Sequence, residues 1–439
     1  MKQQIVFFRI LYLVLIIIPF SYQIGFSQSW DFVYDSIPSM GRDIVITDDS
    51  CYVATSTNNP YEEGFSLKLN QQGQVLWFSP YGGNAIKQTF DKGYIIGSSN
   101  SSMDALLTKL DSLGNFMWSA SFGEYAQDDF LAVIQSSDSC FVASGFTQSY
   151  GDSSLYVIKV DTARNLIWKR SFSCQDYGVI RDLIEVDSSY YLIGHHNDLS
   201  YNYYLFLAKI TPDGRTIWRK DYQTGFIQES VALTSDSSLI IAGTHQLIKL
   251  NLDGDTLWTK SLSEKWFIRS IDITTDNGFI IAGQYRYSND IYDCNLMAKI
   301  DSLGNVEWHK IYFGNDYSEC NSFESVKCSS ENMFIACGYT NYYGVYKTRI
   351  IKTESDGQIV HKFENNTENN ILKIFPNPTN GKFVVDIDKF EYIEVFNTDG
   401  QLVFKTFDNV IEIYDQPAGV YMIKIITLEG SIMSKIIKE

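Results

Sequence analysis

The chain has 439 residues, 45% of them hydrophobic and 20% charged, enough apolar material for two or three packed domains and a poor fit to a disordered or coiled-coil chain. Thirty-five Lys and Arg stand against 52 Asp and Glu, a formal charge of -17, which argues against binding along a phosphate backbone, so no nucleic-acid partner is expected. Aromatic residues reach 15%, with 29 Tyr, 28 Phe and only 8 Pro, a composition suited to pleated sheet.

At the N-terminus Lys2 precedes an uncharged apolar run from Ile10 to Phe20, followed by a polar stretch with small residues at Gly25 and Ser27. Residues 1–27 read as a secretory signal peptide, because the run is about half the roughly 20 residues that a spanning helix needs. The exported chain is expected to be soluble once cleaved. Seven cysteines follow, at Cys51, Cys140, Cys174, Cys294, Cys320, Cys328 and Cys337, an odd count with irregular spacing that fits neither a disulfide framework nor a metal motif. Cys51, Cys140 and Cys337 sit in apolar runs and read as small core residues, while a bridge between Cys320 and Cys328 stays open.

From residue 30 onward one unit recurs. Its most regular part runs from a lysine through a turn to a tryptophan: Lys68 to Trp77, Lys109 to Trp118, Lys159 to Trp168, Lys209 to Trp218, Lys249 to Trp258 and Lys299 to Trp308. Lys352 and His361 form a seventh, altered copy. Within each copy a glycine (Gly73, Gly114, Gly214, Gly254, Gly304, Gly357), once replaced by Arg164, stands where a tight hairpin needs positive φ. Upstream lie a hydrophobic run, such as Leu239–Gly243, and an alternating segment, such as Leu131–Ile134. Each unit thus supplies four short strands in about 47 residues, the size of one propeller blade.

A blade cannot bury both faces alone, so the fold class is all-β, a seven-bladed β-propeller over residues 28–363. The tryptophans are expected to wedge neighbouring blades together, and the lysines to lay their stems on the sheet with the charge in water. Trp30 copies the tryptophan strand although no blade precedes it. The N-terminal strand is therefore expected to complete the last blade and hide its edge, with an eight-bladed ring as the alternative.

Leu110-Asp-Ser-Leu-Gly-Asn-Phe-Met-Trp118 and Leu250-Asn-Leu-Asp-Gly-Asp-Thr-Leu-Trp258 are the clearest copies. Across residues 30–361 the repeats resemble the tryptophan-docking blades of quinoprotein-like propellers. That resemblance implies the blade and not a chemistry, since the class holds both quinone-dependent dehydrogenases and non-catalytic scaffolds. Such dehydrogenases carry vicinal cysteines and this chain has no Cys-Cys pair, so no cofactor is expected.

Residues 364–370 are a polar linker, and residues 371–439 hold short alternating runs, including Phe383–Ile387, Ile393–Phe396 and Tyr421–Ile425, that read as a small Ig-like antiparallel sandwich. Pro376-Asn-Pro-Thr-Asn-Gly381, Val395-Phe-Asn-Thr-Asp-Gly-Gln-Leu-Val403, Gln416-Pro-Ala-Gly-Val-Tyr421 and Ser434-Lys-Ile-Ile-Lys438 occur there in order. The segment resembles the type A C-terminal sorting domain of the type IX secretion system. The resemblance implies recognition by that machinery, passage across the outer membrane of a Gram-negative cell, removal of the domain, and release or attachment to surface lipopolysaccharide. The sorting-signal positions it carries over are Pro376, Asn377, Pro378, Gly381, Gly400, Pro417, Gly419, Tyr421 and Lys435.

Antiparallel strand order puts the loops between second and third strands on one face of the ring, together with the loops between blades. Those loops are rich in tyrosine, which offers large contact area at low entropy cost, and Tyr61, Tyr150, Tyr203, Tyr204, Tyr287 and Tyr343 are the candidate ligand-binding residues. His196 and His245 occupy equivalent positions in adjacent blades but lack the further ligands of a metal site, so no metal is expected. No Ser-His-Asp set, phosphate loop or dinucleotide fingerprint can be placed, and catalytic residues are unassigned. The expected function is a secreted or surface-tethered propeller that binds a glycan, another polymer or a protein. The alternative is an extracellular glycan hydrolase or lyase with acids at the channel.

Overall fold

The structure is a computed structural model that describes residues 29–34, 36–58, 64–123, 126–148, 154–174, 176–286, 293–312, 321–342, 344–359, 373–387, 390–397, 402–427 and 430–439. The chain divides into two compact units, one of Ser27–Asn365 and one that includes Asn366–Glu439. The signal-peptide and linker segments, and Cys320, lie outside the described residues.

In the first unit seven four-stranded antiparallel sheets follow one another. Blade 1 runs through Met40–Ile46, Tyr52–Thr57, Ser66–Leu69 and Val75–Ser79, and blades 2 to 6 repeat that order over residues 85–122, 128–172, 178–223, 228–261 and 266–312. Blade 7 takes Ser322–Cys328, Phe334–Tyr342 and Val345–Thr353, and its fourth strand is Trp30–Tyr34 from the chain's beginning. First strands of successive blades meet in a closed ring, so they line the axis. Second and third strands are buried on both faces, whereas fourth strands such as Phe116–Phe122 form the outer edge. The propeller and its N-terminal closure are as the repeat required.

The closing strand enters in the register of its six counterparts. Trp30 pairs with Lys352 as Trp77 does with Lys68 and Trp308 with Lys299. The tryptophan that His361 lacks is thus supplied from the other end of the unit. Asp31 and Arg349 lock it further through a bidentate pair, Nε to Oδ1 at 3.1 Å and Nη2 to Oδ2 at 2.7 Å, with both side chains buried.

Each tryptophan docks on the hairpin turn of the next blade. A Cβ on Gly114 would come within 2.7 Å of Trp77, and one on Gly357 within 2.7 Å of Trp308, while φ at the two is +81° and +75°. Glycine is demanded there by backbone and by neighbour at once. The indole also packs on the aromatic residue that opens the next blade's second strand, as in Trp77 on Tyr94, Trp118 on Phe141 and Trp308 on Phe334.

The recurrent lysines depart from expectation. Five of them, Lys68, Lys109, Lys159, Lys299 and Lys352, are buried rather than solvated and Lys209 and Lys249 are half-buried, and the ammonium of five meets an aspartate in the turn between first and second strands: Lys68 with Asp49, Lys109 with Asp91, Lys159 with Asp138, Lys249 with Asp236 and Lys299 with Asp276. Each such aspartate also takes a hydroxyl proton from the Thr or Ser two residues before it, for example Ser136 Oγ to Asp138 Oδ1 at 2.6 Å. The Lys249 ammonium and the Thr234 hydroxyl hold the Asp236 carboxyl down to about 2. The reason is reach: the lysine lies opposite a turn with buried donors and an acid, and pairing there is cheaper than leaving either unmet. Among the cysteines, Cys337 is a core residue, but Cys51 and Cys140 are only half-buried beside these turns.

The second unit packs two sheets around Phe383, Val385, Ile393, Val395, Ile411, Tyr421, Ile423 and Ile436. One sheet holds Lys373–Phe375, Lys382–Asp386 and Val410–Glu412; the other holds Leu402–Thr406, Tyr392–Phe396, Gly419–Thr427 and Gly430–Lys438.

Replacing Asp31 by Ala leaves Arg349 buried without its carboxylate and should cost about 3–5 kcal/mol in denaturant unfolding of the full chain. A loss below about 1 kcal/mol would show that this pair does not secure the ring.

Candidate functional site

The axis is where the seven repeats differ. In six first strands a register shift leaves one residue unpaired: Arg42, Leu131, Arg181, Glu229, Arg269 and Glu324. In blade 2, which has no shift, Asn84 stands just ahead of the strand at the equivalent place. Such bulges re-aim a side chain out of the sheet. The position lies beside the end of the second strand, hence at the channel mouth on the tyrosine-loop face.

Neighbouring blades meet at this level through charge. Glu229 is buried between two arginines, with Arg181 Nε 3.2 Å from Oε2 and Arg269 Nη1 2.7 Å from Oε1. Burial works against the Arg269 cation, but Glu324 and Glu229 outweigh it and hold the guanidinium more firmly protonated than usual. Arg42 donates Nε–H to Thr57 Oγ1 at 2.9 Å and faces the Met40 sulfur. Asn84 Nδ2 donates to Asp129 Oδ1 at 2.8 Å. Burial pushes the Asp129 carboxyl up to about 7 although Asn84 and Arg42 pull it down.

Below the mouth the next position carries acceptors that stitch blades together. Asp43 accepts from Ser325 Oγ of blade 7 at 2.7 Å and from Ile86 N–H of blade 2 at 3.0 Å. Burial raises the Asp43 carboxyl, but Lys87, Lys327 and these donors outweigh burial and leave it below its ordinary range. Asp182 accepts from Val231 N–H at 3.0 Å and Ser230 Oγ at 3.1 Å of blade 5, and burial there prevails, raising its carboxyl. Burial likewise disfavours the Lys327 ammonium, but Asp272, Asp43 and Asp182 overcome it. The wall of the channel is therefore polar, charged and mutually compensated.

An aromatic ladder joins the mouth to the rim. Tyr203 lies edge-on to His195 at 6.2 Å, His195 faces Tyr177 at 6.2 Å, and Tyr177 meets Phe146 at 6.3 Å. Burial raises the Tyr177 phenol, with Glu229 and Asp129 adding to it and Arg181 opposing. Tyr177 therefore feels the charges of the mouth.

Of the candidate tyrosines, Tyr203 and Tyr204 open one third strand, opposite Asn197 and His196. Tyr204 stacks on His196 at 5.2 Å, and its hydroxyl reaches Asp198 at 3.3 Å. Tyr61, Tyr150, Tyr287 and Tyr343 lie outside the described residues. His196 faces Asp221 at 2.9 Å, whereas His245 contacts the Ser263 carbonyl at 3.2 Å and the rings of Phe226 and Phe267, so each has its own partners. Among the described residues no three His, Cys, Asp or Glu side chains converge as a metal site. The mouth residues escaped sequence reasoning. Their signal was a charged residue at one fixed place in five of the seven blades, Arg42, Arg181, Glu229, Arg269 and Glu324.

In the second unit the carried-over motifs meet although far apart in sequence. Asn377 Oδ1 accepts from Ile437 N–H at 3.0 Å, Thr379 exchanges backbone bonds with Ile437 and Glu439, and Tyr421 donates its hydroxyl to the Pro417 carbonyl at 2.6 Å. The 376–378 segment thus lies along the last strand, where Lys435 pairs with Met422 through the backbone. Gly381, with φ +120°, leaves room for Tyr414 at 2.7 Å from where a Cβ would stand. Gly400 lies outside the described residues.

Residues 373–439 match the family described as the secretion system C-terminal sorting domain. The chain therefore carries a type IX sorting domain, which implies export to the medium or the cell surface. Among solved structures, the WD40 β-propeller domain of Doa1 aligns over 75% of this chain and 98% of its own at 12% identity and a TM-score of 0.50. A catalytically inactive virginiamycin B lyase from Staphylococcus aureus, with quinupristin, aligns over 73% and 97% at 9% identity and the same TM-score of 0.50. At such identities these likenesses speak for the propeller fold alone. No curated protein matches the chain.

Asp129 makes stability depend on pH. Its folded pKa lies above the unfolded value, so the folded state holds the proton longer; the benefit is full below about pH 4 and is lost as pH rises to about 7. Asp129→Asn keeps an acceptor for Asn84 without the charge. It should melt higher than the parent chain at pH 8 and equally at pH 4, and parallel melting curves across that range would contradict the assignment.

Proposed function

We propose that the chain is an exported binding protein, its propeller taking a glycan, another polymer or a protein at the channel mouth and its C-terminal unit delivering it through type IX secretion. The observation that carries the binding reading is the ring of bulged positions, which turns Arg42, Arg181, Glu229, Arg269 and Glu324 to one level beside the Tyr203–His195–Tyr177 ladder. Polar groups of both signs beside aromatic rings suit a hydrogen-bonding ligand in a concave site. Cleavage of residues 1–27, removal of the sorting domain, contact of Pro376, Asn377, Pro378, Gly381, Gly400, Pro417, Gly419, Tyr421 and Lys435 with the secretion machinery, and attachment to surface lipopolysaccharide belong to the same reading. The second reading, an extracellular hydrolase or lyase, is favoured by the Asp129 carboxyl at the mouth, which accepts from Asn84 at 2.8 Å and which burial pushes up to about 7.

Two experiments test this. Deleting residues 371–439 should keep the protein inside the cell envelope on fractionation, and undiminished delivery to the surface or medium would end the export assignment. The purified chain should retain one or more members of a panel of surface and plant polysaccharides and proteins without altering them. Retention equal to that of a chain with Arg181 and Tyr203 changed to Ala would exclude the mouth as the site. Shortened or unsaturated products would favour the enzyme.

A further inference from the structure

The mouth holds more guanidinium donors than the chain's own acceptors use. Arg181 and Arg269 share the single carboxylate of Glu229, each through one edge, and about a third of each side chain stays exposed, 31% and 32%. The Nε of both is buried without a hydrogen-bond acceptor; that of Arg181 is near Glu229 in charge terms but misaligned for a bond. Arg42, at the same level beside blade 7, donates among the described residues to a hydroxyl and a thioether. The Nε–H groups of Arg181 and Arg269 are closed to solvent, so a ligand meets the two guanidiniums at their exposed ends. The acceptor that matches a planar guanidinium fork is a carboxylate.

Charge points the same way. Among the described residues three arginines stand at this level against Glu229 and Glu324, on a chain whose formal charge is -17. A protein partner needs desolvated apolar anchors. The rings beside the mouth are instead the half-buried Tyr203 and Tyr177, packed on either side of the buried His195. The C–H face of a sugar ring packs on the face of a tyrosine, and its hydroxyls meet the phenol.

We propose that the channel mouth binds the carboxylate of a uronate-bearing glycan, with the exposed ends of Arg181 and Arg269 as the fork and the half-buried Tyr177 and Tyr203 along the sugar ring. This rests on the binding reading above. Uronate recognition predicts affinity that falls with added salt and with removal of the ligand's carboxyls.

Calorimetric titration of the full exported chain with polygalacturonate, its carboxyl-reduced polymer and poly-glutamate tests it. Polygalacturonate should bind at least tenfold more tightly than either comparator. Arg181→Lys and Arg269→Lys keep the charge but lose the fork, and each should weaken binding about tenfold with an unchanged melting temperature. Should either fail to fold, Arg42→Gln, which breaks no ion pair, should still weaken binding severalfold. Equal affinity for the carboxyl-reduced polymer would overturn the uronate assignment while leaving a glycan-binding mouth. Tighter binding of poly-glutamate would overturn it in favour of an acidic peptide. Binding of no polymer in this set or in the wider panel would remove the binding reading itself.

Discussion

A four-stranded blade has two apolar faces and no means of burying both, and the whole propeller follows from how each face is covered. The tryptophan of one outer strand lies against the turn glycine and the opening aromatic of the next blade, as Trp77 does with Gly114 and Tyr94. Repeated around the axis, this contact has to come back on itself, and the last blade lacks the strand that would make it. Trp30 and Asp31 supply it from the other end of the unit, pairing with Lys352 and Arg349. The first and last strands are therefore joined by the most distant contacts in the unit, and closure waits on completion of the seventh blade.

Closure is also what makes a site. First strands carry alternating polar residues that would be solvated on an isolated sheet. In the ring they face six others, so the bulges of five blades set a charge opposite the charges of their neighbours. Glu229 finds Arg181 on one side and Arg269 on the other because three consecutive blades bring them to one level. The deeper aspartates serve a different end: Asp43 ties blades 7, 1 and 2 across the seam. Structure and binding thus divide the channel by depth, with compensated acids within and under-used guanidiniums at the mouth.

The C-terminal unit follows a separate logic. Its motifs are scattered in sequence, but Asn377 and Thr379 lie against residues 437–439 and Tyr421 closes on Pro417. Removing the last strand would leave the 376–378 segment without its partners, which explains physically why such a signal occupies a folded unit and not a linear tag.

Strict spacing made the blade legible from sequence: Lys, turn glycine and Trp recur because each must meet the same partner in the next blade, and Trp30 betrayed the closing strand because its indole needs that same seat. The lysine's partner was harder to see. Asp138 precedes Lys159 by 21 residues and becomes its neighbour only when the intervening strand folds back between them. The mouth was illegible for another reason. Arg42, Asn84, Leu131, Arg181, Glu229, Arg269 and Glu324 differ in kind, so no repeat in residue identity marks them, and what they share is a bulge that depends on pairing. Sequence alone thus determined whatever is periodic or contiguous, the blades and the sorting motifs, while the count of seven and the closing strand stood as expectations that the pairing of Trp30 with Lys352 met. Only the tertiary structure decided which charges oppose one another, because that is set by closing the ring and not by position along the chain.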